Sequence, residues 1–323
     1  MPYIAFLDMI GTRASALISN DEYTSAINDF SKALTQVGDM CECKIYGYSD
    51  NAYVEICDLQ NMINFFRYLR EILMNQHRYF TAAVDSGTLC AERITLKNNK
   101  GFSMKFTAPS TVDIYMKQCH FSGIGISLSS NVINDLTRHQ MQTEFCQSIF
   151  QKYPVADNEM GAIPVHDLSY NNVILEKLGY IISDYLMTAA TNVRAGRYYI
   201  TPTISMIKCL EKSVLLERLD ELITLLSFKS VPSAFKDLRH NDKYSLFYFF
   251  ALIEYVLSLR EQDKSIDANI ICERIIKGFS IEHSKLIETL PMISTSVISN
   301  INKKNFLNIL YNMESIPNEN TNQ

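Results

Sequence analysis

The amino-acid sequence predicts an α+β protein with a mixed sheet in its first half and an all-helical second half. Three observations lead there. Short apolar runs of period two alternate with helix-period segments up to about residue 154. Beyond about residue 165 the apolar residues recur only at helical spacing, and Gly and Pro become scarce. The 323 residues are 47% hydrophobic, enough to bury a substantial core, and the length favours two domains. The composition shift places them at residues 1–165 and 166–323.

Element by element, residues 2–8 form an apolar run that reads as a strand, closed by Gly11, and residues 22–37 carry apolar positions at helical spacing. Residues 42–49 and 52–57 read as two strands separated by Asp50-Asn51, a dipeptide suited to a tight hairpin. A helix follows over residues 62–75 and a strand over 80–89. Residues 91–96 and 102–106 form a hairpin around Asn98-Asn-Lys-Gly101. Residues 110–118 read as a helix, 123–128 as a strand and 130–136 as a helix; residues 149–155 and 163–168 complete the sheet. Strand runs mixed with helices, including an antiparallel hairpin within the sheet, give the α+β class.

The second half predicts helices over residues 171–190, 202–228, 242–259, 268–277 and 281–311, the last broken or kinked at Pro291. Residues 247–257 are apolar nearly all round, as expected of a helix buried on more than one face. That helix is either the centre of a bundle or one side of a partner surface.

Bulk properties exclude several classes. A net charge of −5 gives no basic stripe for a dedicated nucleic-acid binder. The eight cysteines include Cys41-Glu-Cys43 but no CxxC pair, which favours reduced core thiols in a cytoplasmic protein over disulfides or a zinc site. Charges precede residue 20 and no run of 18 apolar residues occurs, so neither a signal peptide nor a membrane span is expected. The six histidines lack HExxH spacing, and no GxSxG, Walker A or GxGxxG occurs. Val193-Arg-Ala-Gly-Arg-Tyr-Tyr199 is a small basic-aromatic cluster that either stabilises a helix C-terminus, the ordinary account, or meets phosphate or a partner subunit.

Two carboxylates carry the chemistry. Asp8 ends the first strand within Phe6-Leu-Asp-Met-Ile-Gly-Thr12, directly before a glycine turn, and Asp50 sits in Tyr46-Gly-Tyr-Ser-Asp-Asn51. Either Asp alone is ordinary turn chemistry. A strand ending in Asp, then a helix, then a hairpin with Asp at its tip brings the pair to one end of a sheet. There they suit Mg²⁺ or Mn²⁺, with substrate phosphates completing the shell.

At these residues the chain resembles the class III nucleotide cyclases, whose opening motif is Phe-x-Asp-Ile-x-Gly followed by an Asp in a strand hairpin. Phe6, Asp8, Met9 and Gly11 match it with one conservative change. Phe6 to Arg13 and Tyr48-Ser-Asp-Asn51 are most similar to the bacterial pyrimidine nucleotide cyclases of Pycsar anti-phage systems, with Asn51 in place of a Ser. The resemblance spans roughly residues 1–130 and implies a ferredoxin-like palm domain followed by a helical region for dimerisation or regulation.

It further implies metal-dependent cyclisation of a pyrimidine nucleoside triphosphate, CTP or UTP, to a 3′,5′-cyclic second messenger with release of pyrophosphate. Asp8, Asp50 and the Met9 carbonyl would hold two Mg²⁺ or Mn²⁺ ions. Backbone N–H groups of Ile10, Gly11 and Thr12, with Arg13, would meet the triphosphate. Strand alternation puts Lys44, Tyr46, Tyr48 and Asp50 on one face, so Tyr46 and Tyr48 would narrow the base pocket.

The chain departs from the pattern at Thr81, where the family has Arg, and in Val112-Asp-Ile-Tyr-Met-Lys117, where Asp113 replaces Asn and Lys117 replaces Arg. Lys117 would stabilise transition-state charge as a point charge without a guanidinium fork. In the family this helix completes the opposite subunit's site, so a homodimer is implied. Two alternatives stay open: another palm-fold nucleotidyltransferase, although the usual acidic doublet is absent because Asn51 follows Asp50, or a degenerate cyclase that binds a nucleotide or a partner without turnover.

Overall fold

The computed structural model describes residues 1–95, 102–107, 111, 114–115, 124–139, 150–154, 160–164, 178–184, 199–207, 210, 212–228, 241–293, 295 and 297–314. The chain divides into two compact units, Met1–Asp167 with Arg194–Pro202, and Leu168–Val193 with Thr203–Gln323.

The first unit opens with strand β1 (Tyr3–Ile10) and short helix α1 (Thr12–Ile18), then α2 (Asn20–Met40). Ser19 separates the two helices in extended conformation, and its hydroxyl caps α2 by accepting from the Glu22 N–H at 3.0 Å. Asp21 and Glu22 in the first turn complement the helix dipole. Strands β2 (Cys43–Tyr48) and β3 (Asn51–Ile56) form a hairpin, and α3 (Leu59–Met74) follows, capped by Asp58, whose carboxylate accepts from the Asn61 N–H at 2.8 Å. Strand β4 (Tyr79–Ser86) completes a β-α-β-β-α-β order, with β1 antiparallel to both β3 and β4 and β2 antiparallel to β3. This is the ferredoxin-like arrangement.

The sheet extends past β4 through β7 (Gly125–Leu128), β9 (Met160–Pro164) and β8 (Phe150–Pro154), giving the order β2-β3-β1-β4-β7-β9-β8. The β4–β7 pair is parallel and every other pair antiparallel. The hairpin β5 (Ala91–Thr95) and β6 (Phe102–Phe106) forms its own two-stranded sheet. Helix α4 (Ser130–Arg138) follows β7.

Period-two alternation sorts the strands' side chains cleanly. Tyr3, Ala5, Leu7 and Met9 of β1 join Ala52, Val54, Ile56, Phe80, Ala82 and Val84 under α2, α3 and α4, where Phe30, Phe65 and Phe66 fill the core. The opposite face carries Ile4, Phe6 and Ala83 with Leu89 and Ile114, and the half-buried rings of Tyr46, Tyr53 and Phe106 pack against them.

The second unit is helical among the described residues. Residues 178–184 are helical, followed by α5 (Ile200–Ile207), whose first three residues belong to the first unit, α6 (Lys212–Glu217) and α7 (Leu219–Leu226). Then come α8 (Asn241–Gln262), α9 (Ala268–Phe279), α10 (His283–Thr289), a 3₁₀ turn at Leu290–Met292 and α11 (Asn300–Glu314). The apolar stretch of α8 lies at the centre of this unit: Phe249 meets Phe279 and Phe306 at ring distances of 5.3 and 5.9 Å, and Tyr248 meets Phe228 at 6.0 Å. Its all-round hydrophobicity is met within the unit. Glu254 is the charged residue in that stretch, and its Oε2 accepts from the Ser299 N–H and the Asn302 amide, fixing the start of α11.

The α+β class, the ferredoxin-like order and the helical second half are as the sequence predicts. Three details differ. The hairpin turn is Ser49-Asp50, with Asn51 already in β3 opposite Tyr48, because Ser49 adopts a positive φ of 54° and turns the chain one residue early. The 202–228 stretch is three short helices, α5, α6 and α7. The strand expected at 163–168 is β9 at Met160–Pro164, three residues earlier, whereas the 281–311 stretch breaks at Pro291 as expected, with α10 before the 3₁₀ turn and α11 after it.

Candidate active site

Asp8 and the turn that carries Asp50 lie side by side at one end of the sheet. Asp8 lies near the end of β1, paired with Asn51 of β3 on one side and Thr81 of β4 on the other. The next residue, Met9, donates its backbone N–H to the Asp50 carbonyl at 2.8 Å, so the hairpin turn is fastened to the strand that carries Asp8. Both aspartates are half-buried.

The Asp50 carboxylate is held from two directions. The Thr12 hydroxyl donates to Oδ2 at 2.7 Å and the Asn51 amide donates to Oδ1 at 2.8 Å. An ionised carboxylate has about four lone-pair positions, so each oxygen retains acceptor capacity for a cation. Thr12 reaches Asp50 because Gly11 takes a left-handed φ of 93° and turns β1 directly into α1; no atom lies within 4 Å of where a Gly11 Cβ would stand. The Tyr23 and Ser49 hydroxyls lie 3.1 Å apart, which ties α2 to the turn as Thr12 ties α1 to it.

Asp50 thus occupies the turn itself, not the strand row of Lys44, Tyr46 and Tyr48 expected from alternation. The register continues that row on β3 and β1 instead: Tyr46 opposes Tyr53, which opposes Phe6. Tyr46 meets Phe106 edge-on at 5.7 Å, Phe106 meets Tyr53 at 4.9 Å, and Tyr53 meets Phe6 at 4.8 Å. Lys44 pairs with Glu55 at 2.7 Å. Tyr46 is therefore a packed wall of an aromatic cluster, whereas Tyr48, 51% exposed, stands at the open end of the hairpin. Partial burial first, then the Tyr115 phenol and the Asp8 and Asp50 carboxylates, hold the Tyr48 phenol above the ordinary tyrosine range.

Ile10, Gly11 and Thr12 follow Asp8 at the β1–α1 junction. Arg13 lies on α1, but its side chain is outside the described set, as are Asp113 and Lys117. Two residues that the sequence did not mark as site residues, Tyr115 and Thr81, join the region, and one that it did mark takes a further part. Thr12 contributes its hydroxyl as well as its backbone. Tyr115 rests against Phe6 with ring centroids 5.4 Å apart. Thr81 is buried directly across the β1–β4 ladder from Asp8, and its hydroxyl has no hydrogen-bond partner among the described residues. The signal for Thr81 was its place as a polar residue in the apolar run Tyr79-Phe-Thr-Ala-Ala-Val84, once β4 is set beside β1.

The donor set suits a hard divalent cation. Among the described residues no third His, Cys, Asp or Glu joins the two aspartates in a group able to hold a metal. Two carboxylates, with substrate phosphates and water to complete the shell, match how Mg²⁺ is ordinarily bound. A groove of about 440 Å³ opens between α2 and β2, lined by Phe30, Leu34, Ile45 and Gly47 and reaching Tyr48 and Ser49; Asp8 is not among its walls. No helix among the described residues is long and apolar enough to cross a membrane.

No protein-family model matches the chain, and no curated protein matches it. Solved structures similar to it include the guanylyl cyclase Cya2, at 12% identity over 53% of this chain and 94% of that one, with a TM-score of 0.37. The guanylate cyclase domain of RhGC from Catenaria anguillulae in complex with GTP matches at 10% identity over 51% and 97%, with a TM-score of 0.38. A bacterial light-regulated adenylyl cyclase matches at 8% identity over 51% and 88%, with a TM-score of 0.35.

Proposed function

We propose that this protein is a metal-dependent nucleotide cyclase that converts a pyrimidine nucleoside triphosphate, CTP or UTP, into its 3′,5′-cyclic monophosphate and pyrophosphate. The observation that carries this reading is the Met9 N–H bond to the Asp50 carbonyl, which fastens the Asp50 turn beside Asp8 at a glycine-turn end of the sheet. In the reaction the ribose 3′-oxygen attacks the α-phosphorus, the bond from that phosphorus to the β-phosphate bridge breaks, and the 3′-hydroxyl proton is lost to solvent. Two bound Mg²⁺ or Mn²⁺ ions would lower the pKa of that hydroxyl and neutralise the triphosphate and the departing pyrophosphate.

The chain's own residues do the rest. Asp8, Asp50 and the Met9 carbonyl present hard oxygen ligands. Thr12 and Asn51 hold the Asp50 carboxylate in one orientation, so little reorganisation accompanies the reaction. Gly11 permits close approach of the backbone at Ile10 to Thr12 to phosphate oxygens, and Arg13 adds charge. Tyr48 offers an exposed ring for stacking a base, while Tyr46, braced by Phe106, narrows the pocket toward a single-ring base. Lys117 would stabilise the transition-state charge from the second subunit of a homodimer. The cyclic nucleotide would serve as a second messenger in anti-phage defence, in line with the resemblance of Phe6 to Arg13 and Tyr48 to Asn51.

The test is incubation of the protein with each of the four nucleoside triphosphates and Mn²⁺, with products resolved by mass spectrometry. A 3′,5′-cyclic CMP or UMP is the expected product. Cyclic AMP or GMP would keep the cyclase and refute the base choice. Oligonucleotides would point to a different palm-fold transferase, and no product from any triphosphate to a binding module without turnover.

A further inference from the structure

We propose that Thr81 is a positioning residue for Asp8, its hydroxyl donating to the Asp8 carboxylate when a divalent cation is bound; this rests on the metal reading of the Asp8 and Asp50 pair. Thr81 is 4% exposed, and its Oγ1 is buried without a hydrogen-bond partner among the described residues. Buried hydroxyls are nearly always satisfied, and leaving one unsatisfied costs stability that a valine of the same shape would not. An unsatisfied hydroxyl in a sheet core is therefore a donor open to any acceptor that the register brings within its reach.

The register identifies that partner. Thr81 faces Asp8 across the antiparallel β1–β4 ladder, so the two side chains stand on the same face of the sheet. Directly opposed residues place their Cβ atoms about 4.5–5.5 Å apart, within reach of a hydroxyl-to-carboxylate bond by rotation about side-chain torsions alone. The neighbouring positions on that face leave room for it: Ala83 follows on β4, and Gly125 is the β7 partner of Thr81. Carboxylates that ligate metals are themselves held by outer hydrogen bonds, as Thr12 and Asn51 already hold Asp50. Thr81 gives Asp8 the equivalent support.

Ser127 supplies an internal control. It is 1% exposed, its Oγ also lacks a partner, and it pairs with Ala83, which puts it on the same face one strand further from Asp8.

The experiment is titration of the full chain with Mn²⁺ alone, free Mn²⁺ being read by electron paramagnetic resonance, alongside the thermal unfolding midpoint of each variant without metal. Thr81→Val is expected to weaken Mn²⁺ binding by about tenfold or more, the usual cost of removing an outer-shell hydrogen bond. Its unfolding midpoint should equal or exceed that of the wild type. Thr81→Ser should restore wild-type affinity, and Ser127→Ala should leave it unchanged. Wild-type affinity in Thr81→Val, or an equal loss in Ser127→Ala, overturns the role of Thr81. Asp8→Asn separates the two readings: if it binds Mn²⁺ as the wild type does, the metal site itself is elsewhere and both readings fall.

Discussion

The two faces of the first unit's sheet are made from the same strands but finished differently. One face is closed by the chain's own helices: Leu7, Met9, Val54, Ala82 and Val84 are at most 3% exposed beneath α2, α3 and α4. The other begins as an aromatic cluster at Phe6, Tyr53, Tyr46 and Phe106 and ends in polar groups at Asp8 and Thr81, next to the Asp50 turn. Adjacent residues of β1 take part in both, since Leu7 and Met9 point into the helix-covered core and Asp8 into the other face. The contrast teaches that stability and chemistry are separable by side-chain parity, so substitutions one residue apart should act on different observables.

The sharpest way to break that separation is to neutralise the pair. Asp8→Asn and Asp50→Asn should each lower turnover by at least about a thousandfold, because metal charge stabilisation is worth several kcal/mol. The unfolding midpoint should hardly move, as both aspartates are half-buried at the sheet end. Full activity in either variant would remove the two-carboxylate reading. The converse variant lies on the helix-covered face. Phe66 is fully buried between Phe65 and Phe80, and Phe66→Ala should cost about 3–5 kcal/mol in urea unfolding. Turnover per folded molecule should stay within about twofold of wild type, which activity normalised to the folded fraction would check. A much larger loss would show the faces to be coupled through the strands.

Thr12→Val tests the polar end more finely. Its hydroxyl donates to Asp50, and a hydrogen bond to a charged group contributes about 1.5–3 kcal/mol. The expected loss in kcat/KM is therefore about 10- to 100-fold, with Thr12→Ser near wild type. If Thr12→Val lost stability but not kcat/KM, Thr12 would belong with the packing residues.

How much of this was legible in the sequence follows from range. The strands of the first unit, the helices α2, α3 and α8 and the Asp8–Gly11 turn depend on local periodicity and on residues adjacent in the chain, and they were read correctly within a few residues. The hairpin was placed one residue late because Asp50-Asn51 is the stronger turn dipeptide, while the chain takes its positive φ at Ser49. That single step moved Asp50 off the row of Lys44, Tyr46 and Tyr48. The aromatic packing of Tyr46 against Phe106, and the place of Thr81 opposite Asp8, depend on strand register and on a hairpin some 60 residues away. No local pattern encodes either.

The smallest effect expected on the helix-covered side comes from Asp58, the cap of α3. Its carboxyl is held below the usual carboxylate range, first by the Asn61 backbone N–H. A group whose native pKa is depressed stabilises the fold above its unfolded pKa, and that contribution is lost as pH falls through the native value. Asp58→Ala should therefore cost about 1 kcal/mol near neutral pH, the ordinary worth of an N-cap. The difference from wild type should stay constant from about pH 8 to 5 and close below about pH 4, where the unfolded carboxyl also protonates. Urea midpoints of both proteins at several pH values would measure this. Because Asp58 serves the α3 side of the sheet, turnover per folded molecule should not change. A gap that persisted undiminished well below pH 4 would mean that Asp58 acts through shape and not through its charge, and the cap would then be a packing residue like Phe66.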